Sequence, residues 1–270
     1  MTYSRIERFD DPAEVQHPLV RAALQHIPTD RIQIAYDADL PACSGIGSSS
    51  AFAVGLVQGL RAFHGEYPDR TALAKEAIYL ERTLCGESGG EQDQVAAAFG
   101  GLNRIDFTAD GFVVHRLELT EERKTILQEN LLLLFTGFTH FSGKVAAEQQ
   151  NNIPSTLAQL HEMQRMTDTA QQILLDGDPD DFGRLLHETW QLKRTLSQQI
   201  TTSKIDDIYA QARKNGALGG KVLGAGGGGF MLLYVPKAQQ EKLKTALQMY
   251  QFVPFAFEET GTQLLYESRN

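Results

Sequence analysis

The chain has 270 residues, of which 42% are hydrophobic and 22% charged, the composition of an ordinary globular protein with room for two modest domains. A net charge of −9 and the lack of a Lys/Arg cluster argue against a nucleic-acid partner, which needs a basic face. No apolar run is long enough to cross a bilayer, the first residues carry no signal-peptide core, and the two cysteines do not indicate a disulfide framework. We therefore expect a cytoplasmic protein with no membrane and no nucleic-acid partner.

The first third of the chain is predicted to be mainly helical. Helices are expected over DPAEVQHPLVRAALQHI, AFAVGLVQGLRAF and DRTALAKEAIYLERTLCG, the last ending at Gly86. RIQIAYDADL has the pattern of a strand, and the loop PACSGIGSSS at residues 41–50 precedes the second helix. A second loop is predicted at ESGGEQDQ.

The remaining sequence mixes strands with helices. LNRIDF and FVVHRLEL are predicted strands of a hairpin with DG at its turn, and NLLLLFTG is a predicted buried strand. Residues 142–214 have a helical pattern that is broken near DGDPDD. KVLGAGGGGFMLLYVP is predicted as strand, glycine loop and strand, followed by the helix QQEKLKTALQMY and by strands in the tail. This mixture predicts an α+β fold whose two domains, 1–125 and 126–270, each carry a glycine loop.

The loop at residues 41–50 leads directly into a predicted helix. A helix start exposes unpaired backbone N–H groups and the positive end of the helix dipole. Small residues let an anion approach these groups, and serine hydroxyls add donors or a metal ligand. The loop therefore predicts a phosphate site, and a serine that merely caps the helix is an equal alternative.

The second glycine run, GAGGGG at residues 224–229, does not fit the familiar nucleotide motifs. A dinucleotide fold needs a helix after the glycines, but the strand-like FMLLYVP follows them. A P-loop is excluded because Val222 follows Gly220 and Lys221 where Ser or Thr is required. Adjacent glycines can still form a concavity lined by backbone N–H groups, which suits an anionic transition state. A flexible hairpin tip is the alternative, and it is less favoured because apolar strands flank the run on both sides.

Two carboxylates are candidates for chemistry. Glu81 falls within the apolar stripe of its predicted helix, where an inward carboxylate needs a cation or hydrogen-bond donors. A magnesium ion would supply this, although an ion pair with Arg82 or Arg104 is slightly favoured on the sequence alone. Asp93 precedes VAAAFGG and by itself is best explained as a helix cap, but an aspartate near a phosphate site can also orient or deprotonate an attacking hydroxyl.

Taken together, these stretches resemble the GHMP kinases. Pro41 through Ser50 match the family's phosphate loop, P-x-x-x-G-[LI]-G-S-S-[AS], in full, and LGAGGGGF matches a second glycine motif near the C-terminus. HPLVRAAL, GEQDQVAAAFGGLN and LGGKVLGAGGGGF are most similar to the branch of sugar-1-kinases that act on heptose 7-phosphate. Cys43 stands where that branch often has Gly, at a position that the motif leaves free.

The resemblance implies ATP and Mg²⁺ as cofactors and a role for each matching residue. Ser49 and Glu81 would hold the metal, and Asp93 would act on the anomeric hydroxyl of the sugar. The residues expected to bind ATP are Pro41, Ser44, Gly45, Ile46, Gly47, Ser48, Ser49 and Ser50. The second glycine motif would support the reacting groups through Gly224, Ala225, Gly226, Gly227 and Gly228. Lys193 and Arg194 are candidates for contacts to an acidic sugar, with a solvated helix face as an equal alternative.

The resemblance also implies a two-domain GHMP kinase fold with a ferredoxin-like C-terminal α+β domain. The first motif of this branch, R-x-P-x-R-[IL]-x-[FL]-x-G-G-[GT]-T-D, does not occur in the sequence, so the N-terminal strands are expected to be missing. The expected function is ATP-dependent phosphorylation of D-glycero-D-manno-heptose 7-phosphate to the 1,7-bisphosphate. A galactokinase- or fucokinase-like enzyme and a nucleotide-binding pseudokinase are the alternatives. A homodimer is compatible with the sequence, which does not decide the oligomeric state.

Overall fold

The computed structural model describes residues 5–40, 44–138 and 142–267. They divide into two compact units. The first consists of residues 5–40, 47–101 and 258–267, and the second consists of residues 44–46, 102–138 and 142–257. The main division after Gly101 lies earlier than residue 125, and the C-terminal segment belongs to the first unit. The domain bounds 1–125 and 126–270 stay a prediction.

The first unit is a bundle of helices whose apolar faces pack against one another. Asp69 caps one helix by accepting a hydrogen bond from the amide of Ala72 at 2.8 Å. That helix continues without a break into a turn of π-helix at Tyr79–Leu84, and a short 3₁₀ turn lies at Pro12–Glu14. The α-helices of this unit are α1 (Pro18–His26), α2 (Ser48–Phe63), α3 (Arg70–Ile78) and α4 (Gln92–Phe99).

The strand predicted at residues 31–40 is wrong. The backbone there is irregular apart from an isolated bridge at Ala35, and Arg31 adopts a positive φ of 56°. An extended segment becomes a strand only when a neighbour takes up its backbone hydrogen bonds. The alternating apolar pattern of this segment is therefore not sufficient for a strand, because a strand also needs a neighbouring strand to pair with.

The second unit contains a four-stranded antiparallel sheet with the strand order β4-β5-β3-β6. Leu133 of β3 pairs with Leu232 of β5 on one side and with Val253 of β6 on the other. This order, with helices in both connections, is the split β-α-β arrangement of ferredoxin-like folds and confirms the predicted α+β class. The strands are β3 (Leu131–Phe135), β4 (Gly219–Val222), β5 (Phe230–Tyr234) and β6 (Gln251–Val253).

A separate hairpin and five helices complete the second unit. The predicted hairpin is confirmed, but it turns at Ala109 and Asp110, and Gly111 is already the first residue of the second strand and pairs with Thr108. The long helix contains Pro154 and is kinked at Thr156, where φ is −120°. Trp190 is fully buried in the core beneath the sheet. The elements are β1 (Asn103–Thr108), β2 (Gly111–Arg116), α5 (Glu121–Asn130), α6 (Ser142–Asp176), α7 (Pro179–Lys193), α8 (Ser203–Lys214), α9 (Gln240–Ala246) and a 3₁₀ turn at Lys237–Gln239.

The C-terminal segment runs along the end of α4 in the first unit. Gly101 donates its amide to the carbonyl of Glu258 at 2.6 Å, and Thr262 donates to Ala97 at 2.9 Å. Gly100 and Gly261 have positive φ values of 64° and 66°, and a Cβ on Gly100 would lie 2.0 Å from the Gly261 nitrogen. Only glycine permits this backbone approach. Within the described residues, no helix is both long enough and apolar enough to span a bilayer.

Candidate active site

The start of α2 has no side-chain cap. Its N-cap residue is Gly47, with φ 74° and ψ 18°, which offers no side-chain hydrogen bond to the first turn. The alternative of a capping serine is therefore wrong. The first backbone N–H groups of this 16-residue helix lack intrahelical partners, and they coincide with the positive end of its dipole. This geometry provides an anion site in the first unit.

A buried glutamate lies beside the first turn of α2. Glu81 is 1% exposed, and its Oε1 accepts a hydrogen bond from the Ser49 hydroxyl at 2.8 Å. Its Oε2 accepts one from the side-chain amide of Gln94 at 2.5 Å. Each carboxylate oxygen thus has one neutral donor, which satisfies hydrogen bonding but leaves the negative charge without a cation among these partners.

The predicted ion pair of Glu81 with an arginine is not formed in the described part of the chain. Arg82 donates instead to the carbonyls of Glu87 and Gly90, the latter at 2.6 Å, and so holds the following loop. Arg104 pairs with Asp106 and Asp168 at 2.9 and 2.6 Å. The ion-pair alternative is therefore wrong, and the metal alternative is left standing.

Glu81 lies within the π-helical turn that follows α3. The amide of Cys85 bonds to the carbonyl of Leu80 at 3.0 Å, the i→i+5 pattern that defines this turn. Such turns are rare and are frequently found at functional sites. The Glu81 charge also affects its surroundings: burial, and then the charges of Glu87 and Glu81, raise the pKa of the Cys85 thiol.

Asp93 lies in the first turn of α4 and faces the start of α2. The N-cap of α4 is Glu91, so the predicted capping role of Asp93 is wrong. A Cβ placed on Gly47 would lie 3.2 Å from Cγ of Asp93. The half-buried carboxylate is therefore in van der Waals range of the glycine that begins the anion site. Gly47, Ser49, Glu81 and Asp93, which are far apart in sequence, come together in the first unit.

The earlier residues of the same loop pack inside the second unit. The carbonyl of Ser44, which is buried, accepts the amide of Phe230 at 3.1 Å. A Cβ on Gly45 would lie 2.8 Å from the carbonyl oxygen of Leu223, and Gly45 has a φ of 77°. This backbone approach explains the first glycine of the motif. Pro41 and Cys43 lie outside the described residues.

The second glycine run is held by bonds from outside its own hairpin. Lys193 is 9% exposed and donates from Nζ to the carbonyl of Gly224 at 2.6 Å. Gln149 donates to the carbonyl of Ala225 at 2.9 Å, and the amide of Gly227 donates to Ile200 at 2.8 Å. These bonds contradict a free hairpin tip, and they show that Lys193 is not on a solvated helix face.

For the other predicted site residues, the structure gives local contacts or burial but no evidence of a binding role. Arg194 donates to Asp206 at 2.9 Å and to Gln191 at 3.1 Å within the second unit. Ser50 is buried, whereas Ile46 and Ser48 are half-buried. Contacts of Lys193 and Arg194 with a sugar therefore stay a prediction. Gln94 was missed, although its position directly after Asp93 in a polar loop was a usable signal.

Comparison with known proteins agrees with this geometry. The family descriptions "GHMP kinases N terminal domain" and "GHMP kinases C terminal" match residues 17–101 and 170–251. The chain belongs to the GHMP kinase family. This GHMP kinase is therefore a small-molecule phosphotransferase of a family that uses ATP as its phosphate donor.

Among its relatives are several sugar kinases. D-glycero-alpha-D-manno-heptose 7-phosphate kinase of Campylobacter jejuni is 29% identical over 234 residues, which cover 83% of this GHMP kinase and 68% of that protein. The bifunctional fucokinase/GDP-fucose pyrophosphorylase of Arabidopsis thaliana is 26% identical over 86% of this chain and 23% of its own. The crystal structure of a D-glycero-D-manno-heptose 1-phosphate kinase from Bacteriodes thetaiotaomicron matches with a TM-score of 0.71 and 25% identity, covering 97% of this chain and 76% of that one.

Proposed function

We propose that this kinase transfers the γ-phosphoryl group of ATP to the anomeric hydroxyl of D-glycero-D-manno-heptose 7-phosphate, giving the 1,7-bisphosphate and ADP. The observation that carries the proposal is the convergence of Gly47, Ser49, Glu81 and Asp93 at the uncapped start of α2. Phosphoryl transfer needs a phosphate cradle, a metal, a group that acts on the nucleophile, and little else. These four residues supply those parts.

The phosphates of ATP bind at the loop 44–50. Unpaired N–H groups at the start of α2 donate to phosphate oxygens, and the small residues of the loop allow close approach. Serine hydroxyls add further donors. The positive, N-terminal end of the helix dipole stabilises the negative charge of the triphosphate, just as it stabilises the carboxylate of a capping aspartate.

The residues present fit a magnesium ion. Two ligands in adjacent positions of an octahedral site, each 2.0–2.1 Å from the ion, are about 2.9 Å apart. The distance of 2.8 Å between Ser49 Oγ and Glu81 Oε1 matches this spacing. One serine oxygen and one glutamate oxygen suit Mg²⁺, which takes one or two protein oxygens beside those of phosphate. The bound ion would neutralise phosphate charge.

Asp93 acts on the sugar hydroxyl. Its carboxylate accepts the hydroxyl proton as the anomeric oxygen bonds to the γ-phosphorus and the bond from that phosphorus to the β,γ-bridging oxygen breaks. ADP leaves with the electron pair of that bond. This role is supported by the position of the carboxylate beside Gly47, the N-cap residue of α2.

The choice of sugar rests on similarity. The heptose kinases of Campylobacter jejuni and Bacteriodes thetaiotaomicron favour a heptose phosphate, whereas the similarity to the Arabidopsis thaliana fucokinase over 86% of the chain favours L-fucose as the second candidate. Contacts of Lys193 and Arg194 with an acidic sugar stay a prediction. A cytoplasmic location likewise stays a prediction.

A panel assay of ADP release tests the proposal. The purified protein is incubated with ATP, Mg²⁺ and, separately, heptose 7-phosphate, L-fucose, D-galactose and mevalonate, with Glu81→Gln as the inactive control. We expect ADP release with the heptose phosphate alone, at a rate at least a hundredfold above Glu81→Gln, roughly the effect of losing a metal-ligand charge. ADP release with another sugar would refute the substrate. ATP binding without turnover on any acceptor would instead identify a pseudokinase.

A further inference from the structure

Gln94 is a buried amide that bonds directly to the glutamate of the candidate metal site. It is fully buried, and its Nε2 lies 2.5 Å from Oε2 of Glu81. It follows Asp93 in the first turn of α4, so a single helical turn carries both residues. Adjacent residues on a helix point about 100° apart, which lets Asp93 face Gly47 while Gln94 faces Glu81.

The two oxygens of Glu81 have different surroundings. Oε1 contacts Ser49, which is exposed, whereas Oε2 contacts the inaccessible amide of Gln94. The exposed Ser49 therefore marks the Oε1 side as the one on which a cation can be ligated. Gln94 closes the other side and fixes the plane of the carboxylate, because an N–H donor directed at one oxygen restricts rotation about the last side-chain bond.

Gln94 lowers the stability of the folded state at this position. Its Oε1 has no hydrogen-bond partner among the described residues. A buried amide oxygen without a donor destabilises the folded state, and an apolar side chain of the same shape would avoid that loss. Turning the amide over would bring its oxygen against the carboxylate. A polar residue kept at such a cost is better explained by what it does to Glu81 than by packing.

We infer that Gln94 is a positioning residue for the metal site: it holds the Glu81 carboxylate so that Oε1 and the Ser49 hydroxyl together can ligate Mg²⁺ of the Mg²⁺–ATP complex. This inference rests on the proposed function and adds a residue to it. Gln94 touches neither the metal nor the substrates. Outer partners of this kind change metal affinity by roughly 10–100-fold when they are removed.

The test measures how ATP binding depends on Mg²⁺, by calorimetry at a series of Mg²⁺ concentrations and in EDTA. Gln94→Met keeps the volume and removes the donor, and Gln94→Asn shortens the amide so that it no longer reaches Glu81. Should one of them fail to fold, the other still carries the test. Val57→Ala is the matched control, because it opens a cavity at a fully buried site of the same unit, eight residues or about 12 Å further along α2 than Ser49.

We expect both Gln94 variants to need at least tenfold more Mg²⁺ for half-maximal ATP binding, with the ATP affinity in EDTA unchanged. Val57→Ala is expected to lower the melting temperature without moving the Mg²⁺ midpoint. A Gln94 midpoint within twofold of the parent, or an equal loss of affinity in EDTA, would overturn the inference. If the parent itself binds ATP equally well with and without Mg²⁺, the metal part of the proposed function fails instead, and the inference fails with it.

Discussion

Gly47 and Asp93 are in direct contact in the first unit, since a Cβ on Gly47 would lie 3.2 Å from Cγ of the aspartate. Gly47 also has a φ of 74°, which L-residues with a side chain seldom adopt. Glycine at position 47 therefore meets two requirements: it allows the left-handed backbone at the start of α2, and it leaves room for the Asp93 carboxylate. Each of these requirements can be tested by substitution.

Gly47→Ala is predicted to lower both stability and turnover. The left-handed backbone costs a residue with a Cβ about 1–2 kcal/mol, and the added methyl group displaces Asp93. Urea unfolding and ADP release measure the two effects. Gly55→Ala in the middle of α2 is the control, since its Cβ meets no atom within 4 Å, and it should raise stability by about 0.5–1 kcal/mol with activity unchanged. Equal behaviour of the two variants would contradict the assigned role of Gly47.

Asp93→Asn is predicted to lower the turnover number by roughly 10²–10⁴-fold while leaving the affinity for ATP nearly unchanged. The amide retains the shape of the side chain but cannot accept the hydroxyl proton. Turnover is followed by ADP release, and ATP binding by calorimetry. Asp110→Asn at the exposed hairpin turn is the matched substitution and should retain full activity. A parent-like rate for Asp93→Asn would remove the aspartate from the mechanism.

Lys193→Met should lower the free energy of unfolding by roughly 1.5–3 kcal/mol, because it deletes a buried, charge-assisted hydrogen bond to the carbonyl of Gly224. Arg194→Met should cost less than about 1 kcal/mol, since the pair of Arg194 with Asp206 is partly exposed. Urea unfolding of both variants measures the difference. An unchanged stability of Lys193→Met, together with a raised KM for the sugar, would favour substrate contact over loop support.

Stability should fall as the pH drops below about 6.5, in part because of His187. Burial, and then the charge of Arg213, lower the pKa of this imidazole, which bonds to the Tyr209 hydroxyl at 2.8 Å. Below the unfolded-state pKa of about 6.5 the unfolded chain therefore binds more protons than the folded one, and unfolding becomes more favourable. Urea midpoints at pH 7.5 and 5.0 should differ less for His187→Gln than for the parent. The exposed His161→Gln should show the parental difference; the same flattening there would contradict the role of His187.

Local patterns in the sequence predicted much of the fold. The helix after the glycine–serine loop, the buried strand at Leu131–Phe135 and the hairpin of residues 103–116 are confirmed, although the hairpin turns one residue before the Asp110–Gly111 pair. Each depends on periodicity or turn chemistry within a short stretch. The strand at residues 31–40 failed because strand formation depends on a neighbour that the local pattern does not specify.

The contacts of the site were harder to predict than its members. Ser49, Glu81 and Asp93 were identified from motifs, but the partners of Glu81 depend on how α2, the π-helical turn and α4 pack. The bond from Lys193 to Gly224 spans 31 positions and has no sequence signature. The sequence favoured an arginine as the partner of Glu81 because nearby charge was the visible cue, whereas the actual donors are uncharged.

The return of residues 258–267 to the first unit has a consequence for how the protein is made. On a ribosome the helices α1 to α4 emerge before the second unit, whereas the segment whose backbone bonds to Gly101 and Ala97 is synthesised after it. The first unit thus cannot reach its final form until residues 102–257 have been translated. In a nascent chain stalled before Glu258, the end of α4, the helix that carries Asp93, would lack the backbone segment that normally bonds to it.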